Sequence, residues 1–266
     1  MDLRDSALPL VFVHGTRVSG TMWHPVMAAV DARAEAHADS RNASRTEARR
    51  RTAAPDLPGH GRRRGEPFTM DAAVEAVADA VDELGGKALL VGLSLGGYVS
   101  IATAARHPDR VAGLLAIGCT AAPRGPYATL LRRQFRLAAR YAGTAERLSV
   151  RGFRRMLPAP AAEAMSAGGL SCEVMADVAD AVTGMDPIVA LGAYPGPVWL
   201  ANGARDPFRS DERAFLAACR DGRLSVWPGL GHLTPLADPQ ALARTVLDAA
   251  TVAEDVDATA GQAIGT

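Results

Sequence analysis

"VGLSLGGYVS", residues 91–100, sets one serine between glycines two positions away on either side, at the end of the apolar run "KALLVGLS" (87–94). A continuous apolar run of that length suits a strand buried on both faces, as in a parallel sheet. The residues that follow, "GGYVSIATAARHP" (96–108), read as a helix stopped by Pro108. Gly92-Leu93-Ser94-Leu95-Gly96 therefore matches G-x-S-x-G with a strand before it and a helix after it, the context that pattern requires. In such a turn a strained backbone pushes the serine hydroxyl into a cleft. Side chains at 92 and 96 would collide with the neighbouring strand and helix, and a glycine at 97 lets the new helix lie close to the sheet. The plainer reading is an ordinary glycine-rich turn, and the rest of the chain decides between the two.

Outward from that turn, "LPLVFVHG" (8–15), "VAGLLAIGC" (111–119), "GPVWLANG" (196–203) and "RLSVWPG" (223–229) read as strands. "MDAAVEAVADAVDELG" (70–85) has helical apolar spacing, with Thr69 as its cap and Gly85 as its stop. "SDERAFLAACRDG" (210–222) and "DPQALARTVLDAATV" (238–252) read as further helices. Strands alternating with helices predict an α/β fold with a mostly parallel sheet. Its core is divided into 1–120 and 194–252. Residues 121–193, with "TLLRRQFRLAARYAG" and "ERLSVRGFRRML" and no strand pattern, read as a helical cap inserted between two strands. The tail, 253–266, is expected to be disordered. Residues 31–51, "DARAEAHADSRNASRTEARRR", lack an apolar face and read as a loop or an exposed helix extension, with the arginine run as solvated surface in preference to a docking patch.

A chain of 266 residues accommodates one large domain with an insertion. Hydrophobic residues at 48% and charged residues at 22% are ordinary for a globular protein. Acidic and basic residues balance at 29 each, so no net field draws the chain to nucleic acid or an anionic membrane. Cys119, Cys172 and Cys219 are odd in number and in no C-x-x-C pattern, which argues against a disulfide framework or a zinc site. The N-terminal apolar run is short for a secretory signal, and no run of roughly 18 apolar residues occurs. These features predict a cytoplasmic location; they leave monomer or homodimer open.

A serine hydroxyl needs a base, and the base needs an orienting acid. Of the six histidines, His107 precedes a proline at a helix end, and His24 and His37 fall in the first helix or the polar stretch. His14 and His60 precede glycines and shape turns. His232, in "PGLGHLTPLADP", follows the last strand on a glycine-flanked loop and is the best base. In "LANGARDPF" (200–208), Asp206 follows the penultimate strand at the same sheet edge. Asp211 and Asp238 read as helix starts. The order serine, acid, histidine is that of nucleophile-elbow hydrolases. Donors for a developing oxyanion are the amides of Leu95 and Thr16, with Arg17 as the alternative to Thr16.

His14-Gly15, Trp23, "DLPGHG" (56–61), "GLSLGG" (92–97), "GARDP" (203–207) and "GLGH" (229–232) stand in an order that resembles the α/β-hydrolase superfamily across nearly the whole chain. That resemblance implies an eight-stranded sheet, a helical cap after the sixth strand and a Ser94-Asp206-His232 triad. The chain departs from the pattern in its long connection from Trp23 to Asp56, where the strand before "DLPGHG" shrinks to "RTAAP".

A serine nucleophile argues against the superfamily's epoxide hydrolases and dehalogenases, which need a carboxylate. The expectation is an acyl-enzyme hydrolase of a carboxylic ester or lactone, acting on a small to medium, mostly apolar molecule without metal or cofactor. Met22, Trp23, Leu95, Phe135, Met156, Met165, Met175 and Met185 are candidate pocket residues, although methionines serve equally as plain core. The absence of a glycine run after His14 argues against an HGGG-type esterase. C–C bond hydrolysis, a natural-product acyl hydrolase or acyltransferase, and a ligand-binding receptor with vestigial turnover remain alternatives on the same triad.

Overall fold

A computed structural model describes residues 7–38 and 49–264. Its centre is a sheet in the order β2-β1-β3-β4-β5-β6, with every neighbouring pair parallel. The strands are β1 (Leu10–Val13), β2 (Thr52–Ala53), β3 (Ala88–Leu93), β4 (Val111–Ile117), β5 (Pro197–Gly203) and β6 (Asp221–Trp227). Parallel strands need crossovers, which are supplied by α1 (His24–Ala38), α2 (Met70–Glu83), α3 (Leu95–Arg106), the helices between β4 and β5, and α9 (Glu212–Ala218). The last helix, α10 (Pro239–Ile264), packs against α1.

Alternation along the strands divides the core into two layers. Leu10, Phe12, Leu89, Val91 and Leu115 face one side with α1 and α10; Val11, Val13, Leu90, Leu114 and Leu200 face the other with α2, α3 and α9. Both faces are covered, so each central strand is a continuous apolar run, β1, β3 and β4 being buried throughout.

Among the described residues the sheet has six strands, where eight were expected. Ahead of β1, the described residues 7–9 form no strand. The short strand expected near "RTAAP" is present as the two-residue β2, paired with β1 at Leu10–Thr52 and Val11–Ala53. The Thr69 hydroxyl accepts from the Ala72 amide at 3.1 Å, and Gly85, at φ +106°, follows the end of α2.

Two differences, in α10 and at Arg50, follow from packing. Helix α10 runs on to Ile264 where a frayed tail was expected from 253, because its apolar spacing continues through Val246, Ala250 and Ala253, all fully buried. Within the polar stretch 31–51, α1 extends to Ala38, while 39–48 lie outside the described residues. Arg50, expected on a solvated face, is buried and pairs with Glu254 at 2.6 Å. The ion pair and a bond to the Leu8 carbonyl offset its desolvation.

Between β4 and β5 the chain forms α4 (Gly125–Arg140), α5 (Ala142–Met156), α6 (Ala159–Ala167), α7 (Met175–Thr183) and α8 (Pro187–Ala193), and no strand. The loop after β1 holds this segment: Thr21 Oγ1 donates to the Ala164 carbonyl, and the Ser171 amide donates to the Arg17 carbonyl, both at 2.8 Å. Among the described residues no helix is long and apolar enough to cross a membrane.

Candidate active site

Parallel register brings the ends of the strands together. Val13 lies beside Gly92, Leu93 beside Ile117, Ile117 beside Ala201, and Gly203 beside Trp227. The order reverses between β1 and β3, and the loops leaving their C-terminal ends open a crevice where open α/β sheets bind ligands. Ser94 stands at this point, one residue past β3.

Ser94 has φ 59° and ψ −117°, outside the regions an L-residue ordinarily occupies. Its backbone is held from both sides: its amide donates to the Ile117 carbonyl at 2.8 Å, and its carbonyl accepts from the Gly97 amide at 2.9 Å. A Cβ at Gly92 would overlap the Gly96 carbonyl, and one at Gly96 the Val13 carbonyl, which is the crowding expected for this turn. Between Ala88 and Ile101, Ser94 is the one residue that is not buried. It lines a cavity of about 480 Å³.

His232 and Thr16 line the same cavity. His232 Nδ1 lies 2.9 Å from Asp206 Oδ2, and the other carboxylate oxygen accepts from the Phe208 amide at 2.8 Å. The Asp206 side chain is 1% exposed and that of His232 19%, so the carboxylate is enclosed while the imidazole reaches the cavity. The close fit depends on Gly118, at φ +62°, where a Cβ would stand 2.9 Å from both Asp206 Oδ2 and His232 Nδ1. Phe208 packs edge-on against the imidazole with ring centroids 4.6 Å apart. Neither Gly118 nor Phe208 was legible as a site residue: both act through contacts between distant loops, and only the position of Phe208 two residues past Asp206 hints at it.

His14 and His60 are buried as structural groups. His14 Nδ1 donates to the Gly15 carbonyl and Nε2 accepts from the Leu57 amide, at 2.8 and 2.9 Å. Burial and the neighbouring His60 lower the His14 pKa to about 3, so the ring stays neutral at ordinary pH. Burial pushes the Cys119 thiol well up, with the Asp206 carboxylate adding to the effect, which leaves an inert thiol beneath the site.

Leu95 is buried outside the cavity lining, but its amide opens α3, where the helix itself offers no acceptor. Met22, Phe135, Met156 and Met165 line the cavity, with Met156 51% exposed. Trp23 does not: the short 3-10 turn Gly20–Trp23 directs it into the core against Phe12, ring centroids 5.3 Å apart. Met175 and Met185 do not line it either: Met175 is buried, and Met185 packs against the other core layer. Phe153, Leu148, Ser149 and Leu233, missed in the sequence, complete much of the wall. No group of three or more His, Cys, Asp or Glu among the described residues is arranged to hold a metal ion.

A model of the alpha/beta hydrolase family matches residues 10–245. A pimeloyl-[acyl-carrier protein] methyl ester esterase from Aromatoleum aromaticum is 32% identical over 237 residues, covering 77% of this chain and 87% of that protein. A lipase from Mycobacterium tuberculosis is 49% identical over 65 residues, 24% of this chain and 25% of its own length. The chain spans about a quarter or less of the length of that lipase and of two Neisseria meningitidis pimeloyl-[acyl-carrier protein] methyl ester esterases it also matches. Among solved structures, the enol-lactonase of Burkholderia xenovorans superposes with TM-score 0.72 at 19% identity over 94% of both chains. A thermophilic esterase from Thermogutta terrifontis superposes with TM-score 0.70 at 24% identity, over 94% of this chain and 91% of that one.

Proposed function

We propose, from the premise that this chain belongs to the alpha/beta hydrolase family, that it hydrolyses a carboxylic ester or lactone through an acyl-enzyme on Ser94. The observation that carries this reading is the meeting of a strained, partly exposed Ser94 and an Asp206-bound His232 in one cavity. Ser94 Oγ attacks the carbonyl carbon as His232 Nε2 takes its proton. Asp206, on Nδ1, fixes the ring and stabilises the imidazolium. The amides of Leu95 and Thr16 receive the oxyanion, each donor lowering the barrier by roughly 3 kcal/mol. His232 then protonates the departing alkoxide and activates the water that frees the acid. No step calls for a metal or organic cofactor.

Helices α4–α6 act as the cap. Phe135, Phe153, Met156 and Met165 supply an apolar wall, which favours a small to medium acyl group with a hydrocarbon stem. The likeness to an esterase whose name specifies an acyl methyl ester supports an acyl chain as the recognised part. A p-nitrophenyl ester series of increasing chain length tests the reading. The wild type is expected to turn over the series with a clear optimum, and Ser94→Ala and His232→Ala each to lose at least about a thousandfold in kcat while remaining folded. A folded Ser94→Ala protein with undiminished turnover would overturn the assignment.

A further inference from the structure

Ser94 is one of two residues other than glycine with positive φ among the described residues; the second is Arg17, at φ +66°. Both line the same cavity. An L-residue held in that region carries strain that the surroundings must impose. Here the Arg17 carbonyl is tied to the Ser171 amide. Arg17 is partly buried, and its guanidinium reaches Ser149, which lines the same cavity.

The guanidinium has one hydrogen-bond partner there, Ser149 Oγ on α5, at 3.0 Å from Nη1. That hydroxyl in turn donates to the Ala145 carbonyl, so it brings no negative charge. Arg17 has no ion pair with a carboxylate among the described residues. The acids on the nearby helices, Glu146 and Glu173, are both engaged by Arg64, at 3.1 and 2.5 Å. Cys172 lies close enough to feel Arg17, but burial raises its pKa and keeps it a neutral thiol. The cavity lining contains no Asp or Glu. A permanent cation thus stands at a cavity whose lining holds no carboxylate to pair with it, a costly arrangement unless an anion arrives with the ligand.

We propose that Arg17 is a specificity-determining residue that pairs with a carboxylate on the acyl part of the substrate, so that the preferred substrates are half-esters of short dicarboxylic acids. The proposal rests on the ester-hydrolase reading and names its substrate class. One guanidinium neutralises one carboxylate and presents two parallel donors to it. A phosphate monoester would leave a second charge uncompensated among Phe153, Met165 and Leu233. The apolar wall accommodates the methylenes between the scissile carbonyl at Ser94 and the carboxylate at Arg17.

Two arms test this. In the first, monomethyl and dimethyl esters of succinic, glutaric, adipic and pimelic acids are compared, and kcat/KM for the half-ester is divided by that for the neutral diester of equal length in each protein. The wild type is expected to favour the half-ester of the best length by about tenfold or more, through KM. Arg17→Met should bring the ratio to about one, and Arg17→Lys should restore part of it. Loss of the Ser149 contact alone would slow both esters alike and leave the ratio unmoved. A wild-type ratio of one or below overturns the proposal, whether or not Arg17→Met folds. In the second arm, calorimetric titration of Ser94→Ala with the same pairs reads binding without turnover. Selective binding of the half-ester that Arg17→Met removes supports the anion site even if the wild type hydrolyses neither ester, in which case it is the hydrolase reading that fails. Wild-type turnover confined to neutral esters sinks the anion site and leaves the hydrolase reading standing.

Discussion

Ser94 takes a conformation that costs about 1–3 kcal/mol, permitted by glycines at 92 and 96 and held by its hydrogen bonds to the Ile117 carbonyl and the Gly97 amide. The same turn that strains the residue exposes its hydroxyl. His14 shows the opposite use of burial. With its pKa lowered to about 3 from an ordinary 6.5, the folded protein resists a proton that the unfolded chain accepts. Between those values the unfolded state binds more protons, so stability falls as pH falls. His60, lowered chiefly by burial, contributes with the same sign. Urea unfolding at pH 7.5 and 5.5 should show a loss of about 1.4 kcal/mol from His14, and the His14→Gln protein should lose correspondingly less over the same interval. Equal losses would mean that His14 does not resist protonation. Ser94, Asp206 and His232 were legible because each stands on a turn after a strand, a position that sequence pattern locates. Trp23 was misplaced, since the phase of a short 3-10 turn is invisible in its four residues.

At the level of elements, the close approach of α3 to β1 makes the turn. A methyl group at Gly96 would meet the Val13 and His14 carbonyls, backbone on a buried strand end that cannot swing aside. Gly96→Ala is therefore expected to cost about 2–3 kcal/mol, read as a lower urea midpoint with an unchanged slope. A midpoint within error of the wild type would show that the strand and helix ends yield more easily than their packing implies. The central strands were legible from apolar runs because both faces of the sheet are covered, and α2 from Thr69 and its helical spacing. The count of eight strands came from resemblance rather than from residues, and it failed where no apolar run supported it.

For the whole molecule, α10, which follows the last strand, does more than cover one face of the sheet. Glu254 accepts from the Leu8 amide at 2.6 Å and pairs with buried Arg50, so the end of the chain braces the edge where β1 meets β2. Ala253 is fully buried in the core behind the sheet. Ending the chain at Val252 removes one partner of a buried pair and should destabilise by about 3–5 kcal/mol, a fall in Tm of about 6–20 °C. An unchanged Tm would deny α10 that bracing role. No sequence pattern reveals a pair separated by 204 positions, and the run of arginines around Arg50 suggested surface instead. The central claim is that this fold presents Ser94 as an activated nucleophile. It is tested most directly by intact-mass spectrometry after exposure to a fluorophosphonate. One adduct per chain, mapping to Ser94 and absent from Ser94→Ala and His232→Ala, is the predicted result. A folded wild-type protein that takes up no adduct, or one that is modified elsewhere, would contradict it.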